Sequence, residues 1–431
     1  MGFENLPTEL TEEIFSYLLP KNSECFTREH RKLLIALAGC NAAFNAWAVP
    51  RLFREIRIVI AADDQHLERF REILAGRPVL ASLVQSFTFC IRVPFSHSSS
   101  SIPTVYEDIH LPFILSQLQN LKSFALKVGP LPNYRPLDWD RLPRSWSKAL
   151  QNVCRLPSIT KLELLNIRFM KSGWILHCKN LKELSIWRIM DRFGNPQGSY
   201  SWSGLTAETA PKLTKLQFDK INACIDKLYK LGCLSMLQTI ETVLSLEQDS
   251  HMVRQIIEGA SDHLEALDLR WDYYTESIGR QINFQQWRSL SVLRQLTIDL
   301  SDAFFPRSTP HAADFILAYL LRLPPRLPCI ETIQLIASPQ WRDHGPPNIY
   351  APSRTWPLVE QHCARAYHSL HTLIIEFENS TPFQLSMEGS YSNDDDNKVE
   401  MRRRKEKRHG LVGVDVSDRI GVKAITVLVK S

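Results

Sequence analysis

Residues 159–164 read Ile-Thr-Lys-Leu-Glu-Leu, and residues 181–186 read Leu-Lys-Glu-Leu-Ser-Ile. Both follow one pattern: an apolar residue, two residues, an apolar residue, one residue, an apolar residue. The closing alternation is the period of a strand with one buried face. The pattern recurs. Copies begin at Val84, Leu121, Ile159, Leu181, Leu213, Leu237, Leu264, Leu293, Ile330 and Leu370, the copy at Leu237 (LQTIET) being imperfect. In a chain that is 44% hydrophobic, three fixed apolar positions coincide by chance about one time in twelve, so spacing alone is weak. The next residue in each copy adds more. Gln85, Lys122, Thr160, Lys182, Thr214, Gln238, Glu265, Arg294, Glu331 and His371 are polar in all ten.

A short strand of this kind cannot bury its apolar side alone, so neighbouring units must stack. Helix-compatible stretches lie between copies, at 111–118, 146–154, 252–260 and 312–323. The expected unit is strand, loop, helix and return, and the expected fold class is α/β. Length suggests about three ordinary domains, a count that repetition overrules. Loop-like insertions are expected at the Ser-rich 96–101, the Pro-rich 131–143, and at 194–204 and 338–357. Asp394, Asp395 and Asp396 precede a basic block of Arg402, Arg403, Arg404, Lys405, Lys407 and Arg408. The whole block reads as a solvated charged segment. A last apolar run, 422–429, reads as a closing strand or a loose tail.

The first fifty-five residues differ in period. Leu6, Leu10, Ile14 and Leu18, with Phe15 alongside, form one helical stripe flanked by Glu9, Glu12 and Glu13. Pro7 suits a first helical turn, where its missing N–H costs nothing. Glu9 lies near the positive end of the helix dipole. A second helix is expected over 28–49, closed by Pro50. Ile56, Ile58 and Ile60 then alternate as a strand.

Leu6-Pro7-Thr8-Glu9-Leu10, followed by Ile14-Phe15 and Leu18, resembles the opening helix of F-box domains, whose usual start is L-P-x-E-L-x-x-x-I-F-x-x-L. All seven specified positions fit. The rest resembles the irregular leucine-rich-repeat region that often follows an F-box. The resemblance implies a small all-α F-box at 1–55, a leucine-rich-repeat-like solenoid at 56–385, a charged segment at 386–410 and a C-terminal strand or tail at 411–431. It implies docking onto a Skp-type adaptor, and through it a cullin–RING ubiquitin ligase, by Leu6, Pro7, Glu9, Leu10, Ile14, Phe15 and Leu18. The chain would then be the substrate-recognition subunit, binding an as yet unidentified protein substrate without chemistry of its own. After Cys40 this chain reads Asn41-Ala42-Ala43-Phe44, where F-boxes commonly place a basic pair and a Trp. That departure motivates an alternative: an interaction scaffold with a degenerate F-box and no ligase.

Substrate contacts are expected between the apolar positions, where side chains point to the opposite face of each strand. Trp187 and Arg270 are the chosen candidates, because Trp and Arg dominate binding hot spots. An excess of 51 basic over 46 acidic residues, formal charge +5, does not point to nucleic acid, which needs a concentrated basic face. Nine scattered cysteines without a C-x-x-C pair read as reduced thiols of the cytoplasm or nucleus. No apolar run is long enough to span a bilayer, so no membrane association is expected. No metal is expected, because His362, Cys363, His368 and His371 lack a clean ligand spacing. No cofactor is expected either, since neither a Gly-rich phosphate loop nor any catalytic motif is found. An enzyme in a divergent fold is the least favoured reading.

Overall fold

The computed structural model describes residues 13, 27–60, 65–91, 110–129, 136–170, 172–189, 206, 210–244, 247–271, 290–299, 317, 320–321, 323, 327–337, 355–378 and 424–430. They form an α/β structure dominated by parallel strands. The chain divides into two compact units, 1–212 with 222–233, and 213–221 with 234–431.

In the first unit α1 (Arg28–Cys40) and α2 (Ala42–Arg54) lead into β1 (Glu55–Ile60). α3 (His66–Gly76) and α4 (Val79–Leu83) return the chain to β2 (Ser86–Ile91), and α5 (His110–Gln117) precedes β3 (Ser123–Val128). β4 (Leu137–Asp138), α6 (Arg144–Arg155), β5 (Lys161–Leu165), β6 (Ile167–Arg168) and β7 (Glu183–Trp187) follow, and α7 (Ala223–Lys230) completes the unit. The strand order is β1-β2-β3-β5-β7, each parallel to the next. Parallel neighbours require a crossover between them; α3 and α4, α5, and α6 lie in the first three, and between β5 and β7 the crossover holds β6 and the 3-10 helix Ser172–His177.

The second unit holds β8 (Lys215–Phe218), β9 (Thr239–Leu244), α8 (Glu247–Gly259), β10 (Ala266–Trp271), β11 (Gln295–Asp299), β12 (Thr332–Ala337), α9 (Trp356–Ala366), β13 (Thr372–Glu378) and β14 (Ala424–Lys430). These strands too run parallel in sequence order. Part of the 422–429 apolar run therefore lies in β14. The expected loop at 338–357 ends in the first turn of α9, where Pro357 occupies a position at which no N–H is needed.

The polar residue that marks each copy has a backbone role. Within each unit its carbonyl accepts two N–H groups from the following copy, one from the next marker residue and one from the residue after it. Gln85 thus receives Lys122 and Ser123, Lys122 receives Thr160 and Lys161, and Thr160 receives Lys182 and Glu183, at 2.7–3.0 Å. In the second unit Thr214, Gln238, Glu265, Arg294 and Glu331 do the same. The marker is the entry point of the ladder, and its side chain is exposed or half-buried in every copy. That is why it is polar. The residue before the first apolar position adds a stitch in four copies. Asn120 donates to the Ser82 carbonyl (2.9 Å), Ser158 to Leu121 (2.7 Å), Asn180 to Pro157 (2.8 Å) and Ser369 to Pro328 (2.7 Å).

The apolar positions form the core. Phe124, Leu126, Leu162, Leu164, Leu184 and Ile186 are buried in the first unit, and Leu267, Leu269, Leu296, Ile298, Ile333, Leu335, Leu373 and Ile375 in the second. Each contributes roughly 1.5–3 kcal/mol by leaving water. The imperfect copy keeps its place: Thr242 stands where the third apolar residue belongs, fully buried, and its hydroxyl has no partner. An orphaned buried hydroxyl costs about 1–3 kcal/mol. Thr242→Val is therefore expected to raise stability by about 1 kcal/mol, read from the urea midpoint.

Two local expectations are corrected. The single helix over 28–49 is broken at Asn41, which is extended (φ −160°, ψ 173°) and whose side chain accepts the Phe44 N–H at 2.8 Å. A side-chain acceptor at that position starts a new helix rather than continuing the old one. Pro50 does not close the second helix but lies inside it. Proline withdraws only the bond to the carbonyl one turn back. Beyond it Leu52 packs on the Leu34–Ala48 core, and the Arg51 guanidinium sits 4.0 Å from the Trp47 ring centre. The segment 131–143, expected as loop, contains β4 and the 3-10 helix Trp139–Arg141. β4 pairs with β6, and Trp139 is buried with its ring stacked 5.4 Å from that of Trp174.

Candidate functional site

Parallel register places the outward side chains in rows across the strands. In the first unit one row runs Arg57, Thr88, Ala125, Glu163, Ser185, and the next runs Val59, Cys90, Lys127, Leu165, Trp187. Two ion pairs join adjacent strands on this face. Lys127 Nζ lies 2.6 Å from Glu163 Oε1, and Lys161 Nζ 3.6 Å from Glu183 Oε2.

Trp187 ends β7, level with Leu165, and is half-buried. Its carbonyl accepts the Asn166 N–H at 2.8 Å. At that level both strands leave the sheet through left-handed residues, Asn166 (φ 61°) and Arg188 (φ 53°). Such a conformation is costly for a side chain as long as arginine. From Asn166 the chain enters β6, where Arg168 Nη2 meets Asp138 Oδ2 at 3.0 Å. Trp187 thus sits beside a braced strand exit.

In the second unit Gln217, Glu241, Asp268, Thr297 and Gln334 form one row, and Val243, Arg270, Asp299 and Ile336 the next. Arg270 Nη2 lies 2.6 Å from Glu241 Oε1 and 3.3 Å from Asp268 Oδ2, and Asp299 also acts on the guanidinium. The Gln217 amide donates to the other oxygen of Glu241. Arg270 is therefore tied into the face, and its donors serve its own neighbours. Burial opposes its charge, yet the surrounding carboxylates prevail and hold its pKa above the ordinary value. Burial raises the Asp268 carboxyl, the hydrogen bond and charge of Arg270 oppose that rise, and Glu241 and Asp299 reinforce it.

A carboxyl raised in the folded state holds its proton more tightly there than in the unfolded chain. Its contribution to stability falls as pH climbs from the ordinary aspartate value, about 3.9, through the folded value. Asp268→Asn lacks this loss. The Tm of the variant minus that of the wild type is expected to rise between pH 4 and pH 7, measured by circular dichroism.

Of the two residues chosen from sequence, the structure surrounds Arg270 with Glu241, Asp268 and Asp299, and adds Gln217 on Glu241. Trp187 belongs to the other unit. Leu6, Pro7, Glu9, Leu10, Ile14, Phe15 and Leu18 lie outside the described residues, as does the 402–408 block. Glu13, on the polar flank of that stripe, is described, helical and exposed. Gln217 and Glu241 had a signal. Both occupy the fifth position of the six-residue pattern, and aligning the copies reads Gln, Glu, Asp, Thr, Gln across β8 to β12.

Among the described residues no group of three or more His, Cys, Asp or Glu is arranged to hold a metal ion. None of the eight described cysteines is joined in a disulfide. Burial raises the Cys154 thiol, with Cys178 adding to the effect, and pushes Cys233 up to about 11. Both thiols are held from the reactive thiolate form at neutral pH. No helix among the described residues is long and apolar enough to cross a membrane. No protein-family model matches the chain, and no curated protein matches it significantly.

Proposed function

We propose that this chain is a non-catalytic substrate receptor of an SCF-type cullin–RING ubiquitin ligase, working in the cytoplasm or nucleus. Residues 1–55 act as the F-box that docks a Skp-type adaptor. The following copies act as an irregular leucine-rich-repeat-like solenoid whose outward strand face holds a protein substrate. The docking half rests on the seven matched motif positions from Leu6 to Leu18. The recognition half rests on the observation that carries most weight: copy after copy hands its ladder on through one polar marker residue. Such stacking lays polar side chains in registered rows, the kind of extended surface on which repeat proteins bind partners.

The test is co-purification of the full chain with a Skp-type adaptor, wild type against Leu6→Ala/Pro7→Ala. Retention by the wild type and loss in the variant supports the reading. A wild type that retains no adaptor refutes the ligase role and leaves the scaffold reading.

A further inference from the structure

We propose that the outward face of β5 and β7 receives a tyrosine side chain of the protein partner, its ring laid on Trp187 and its hydroxyl exchanging a hydrogen bond with Ser185. The inference deepens the substrate-receptor reading and rests on it. Ser185 alternates with Leu184 and Ile186, which are buried in the core, so its own side chain points to the opposite face. It is nevertheless only 6% exposed, and its hydroxyl has no hydrogen-bond partner. Native folds seldom leave a buried hydroxyl idle. Ser185 is short and stands among longer side chains. Glu183 and Trp187 flank it on β7, and Glu163 is level with it on β5.

The neighbours narrow the occupant. Trp187 is half-buried, and among the described residues it is the only aromatic side chain at an outward position of the parallel strands. Leu165 lies level with it and is also half-buried, so the last step of the two strands is an apolar shelf. The nearest charges are engaged with each other, Lys127 with Glu163 and Lys161 with Glu183. A charged occupant has to compete with those pairs, whereas a neutral one leaves them in place. Tyrosine is neutral, and its ring gains from contact with another ring beyond the area it buries. Its phenol both donates and accepts, as the serine hydroxyl does. Alternate residues on one strand face are roughly 6–7 Å apart, close to the length of a tyrosine side chain. A purely apolar side chain on the shelf leaves Ser185 idle. Side chains at an interface commonly change rotamer on binding. Trp187 is the last residue of β7, followed by the left-handed Arg188, and its rotation would uncover Ser185 to the phenol.

The probe is a fluorescein-labelled peptide, Gly-Ser-Thr-Tyr-Thr-Ser-Gly, titrated with the full-length protein and followed by anisotropy. The wild type is expected to bind it. Phe in place of Tyr is expected to weaken binding about fivefold, the worth of one hydrogen bond, and Ala in its place to abolish it. Ser185→Ala is expected to weaken the Tyr peptide by the same factor and to leave the Phe peptide unchanged, because the two hydroxyls act as a pair. That variant removes only an unpartnered hydroxyl, so its thermal melt is expected to match or exceed that of the wild type. Trp187→Ala is expected to weaken both peptides about tenfold or more, and Thr297→Ala, in the other unit, to weaken neither. If Trp187→Ala loses its far-UV signal, Trp187→Leu takes its place under the same criterion. A wild type that binds no Tyr peptide, or binds Tyr and Phe peptides alike, overturns the proposal. So does a Tyr peptide held equally by Ser185→Ala, or a peptide with Lys or Glu at that position that binds as tightly. Adaptor retention is scored on the same preparations. Adaptor held without peptide binding refutes the tyrosine site alone, and peptide binding without adaptor refutes the ligase role alone.

Discussion

Phe87→Ala is expected to lower the free energy of unfolding by about 3–5 kcal/mol, read as a shift of the urea midpoint followed by far-UV circular dichroism. Phe87 is fully buried on β2. Its ring lies between Phe70 of α3, with centroids 6.2 Å apart and planes at 12°, and Phe124 of β3, at 6.3 Å and 14°. The ring thus joins a crossover helix to the next strand. Truncation removes the transfer energy of the side chain and leaves a void that two further rings border. Backbone hydrogen bonds hold both strands in register, which hinders collapse into that void. Stacked aromatic pairs add about 0.5–1.5 kcal/mol beyond the area they bury. Phe87→Leu fills most of the space and is expected to cost about half as much or less. A loss below about 1 kcal/mol for the alanine variant would show that this row is not close-packed.

Leu6→Ala/Pro7→Ala is expected to abolish retention of a Skp-type adaptor. On the F-box reading these two residues are the first apolar anchors of the docking helix. Burying a leucine in a partner is worth roughly 1.5–3 kcal/mol. The proline also presets the backbone angle of the first helical turn. Losing about 2 kcal/mol or more weakens binding roughly thirtyfold, since each 1.4 kcal/mol is a factor of ten. That is enough to empty a washed affinity column. A thermal melt unchanged from the wild type separates lost docking from lost folding. Adaptor retained at wild-type level by the double variant would refute docking through this motif.

Much of the fold was legible because the period of a strand is short and local. Each copy of the pattern that has described residues contains a strand start, even LQTIET, where the core position is filled by Thr242 rather than an aliphatic side chain. The polar marker was visible as a texture, but its cause was not. A carbonyl shared by two N–H groups of the following copy is a relation between residues about 22 to 40 positions apart, and no local window holds both ends. The break at Asn41 and the helical Pro50 show the reverse case. Local rules for caps and breakers were present in the sequence, and beyond the proline the partly buried Leu52 packs on the Leu34–Ala48 core.

The candidate site divides in the same way. Sequence alone determined the outward positions, because strand alternation assigns each residue to a face. It therefore supplied Trp187 and Arg270 as candidates. Only the tertiary structure decided what Arg270 does. Register sets Glu241 of β9 level with Asp268 and brings both to the guanidinium at 2.6 and 3.3 Å. Pairing between strands is fixed by backbone ladders and core packing over long separations. The charge a partner meets is the sum over neighbouring strands, not the charge of one residue. Sequence presented an arginine on that face, and the fold surrounded it with carboxylates.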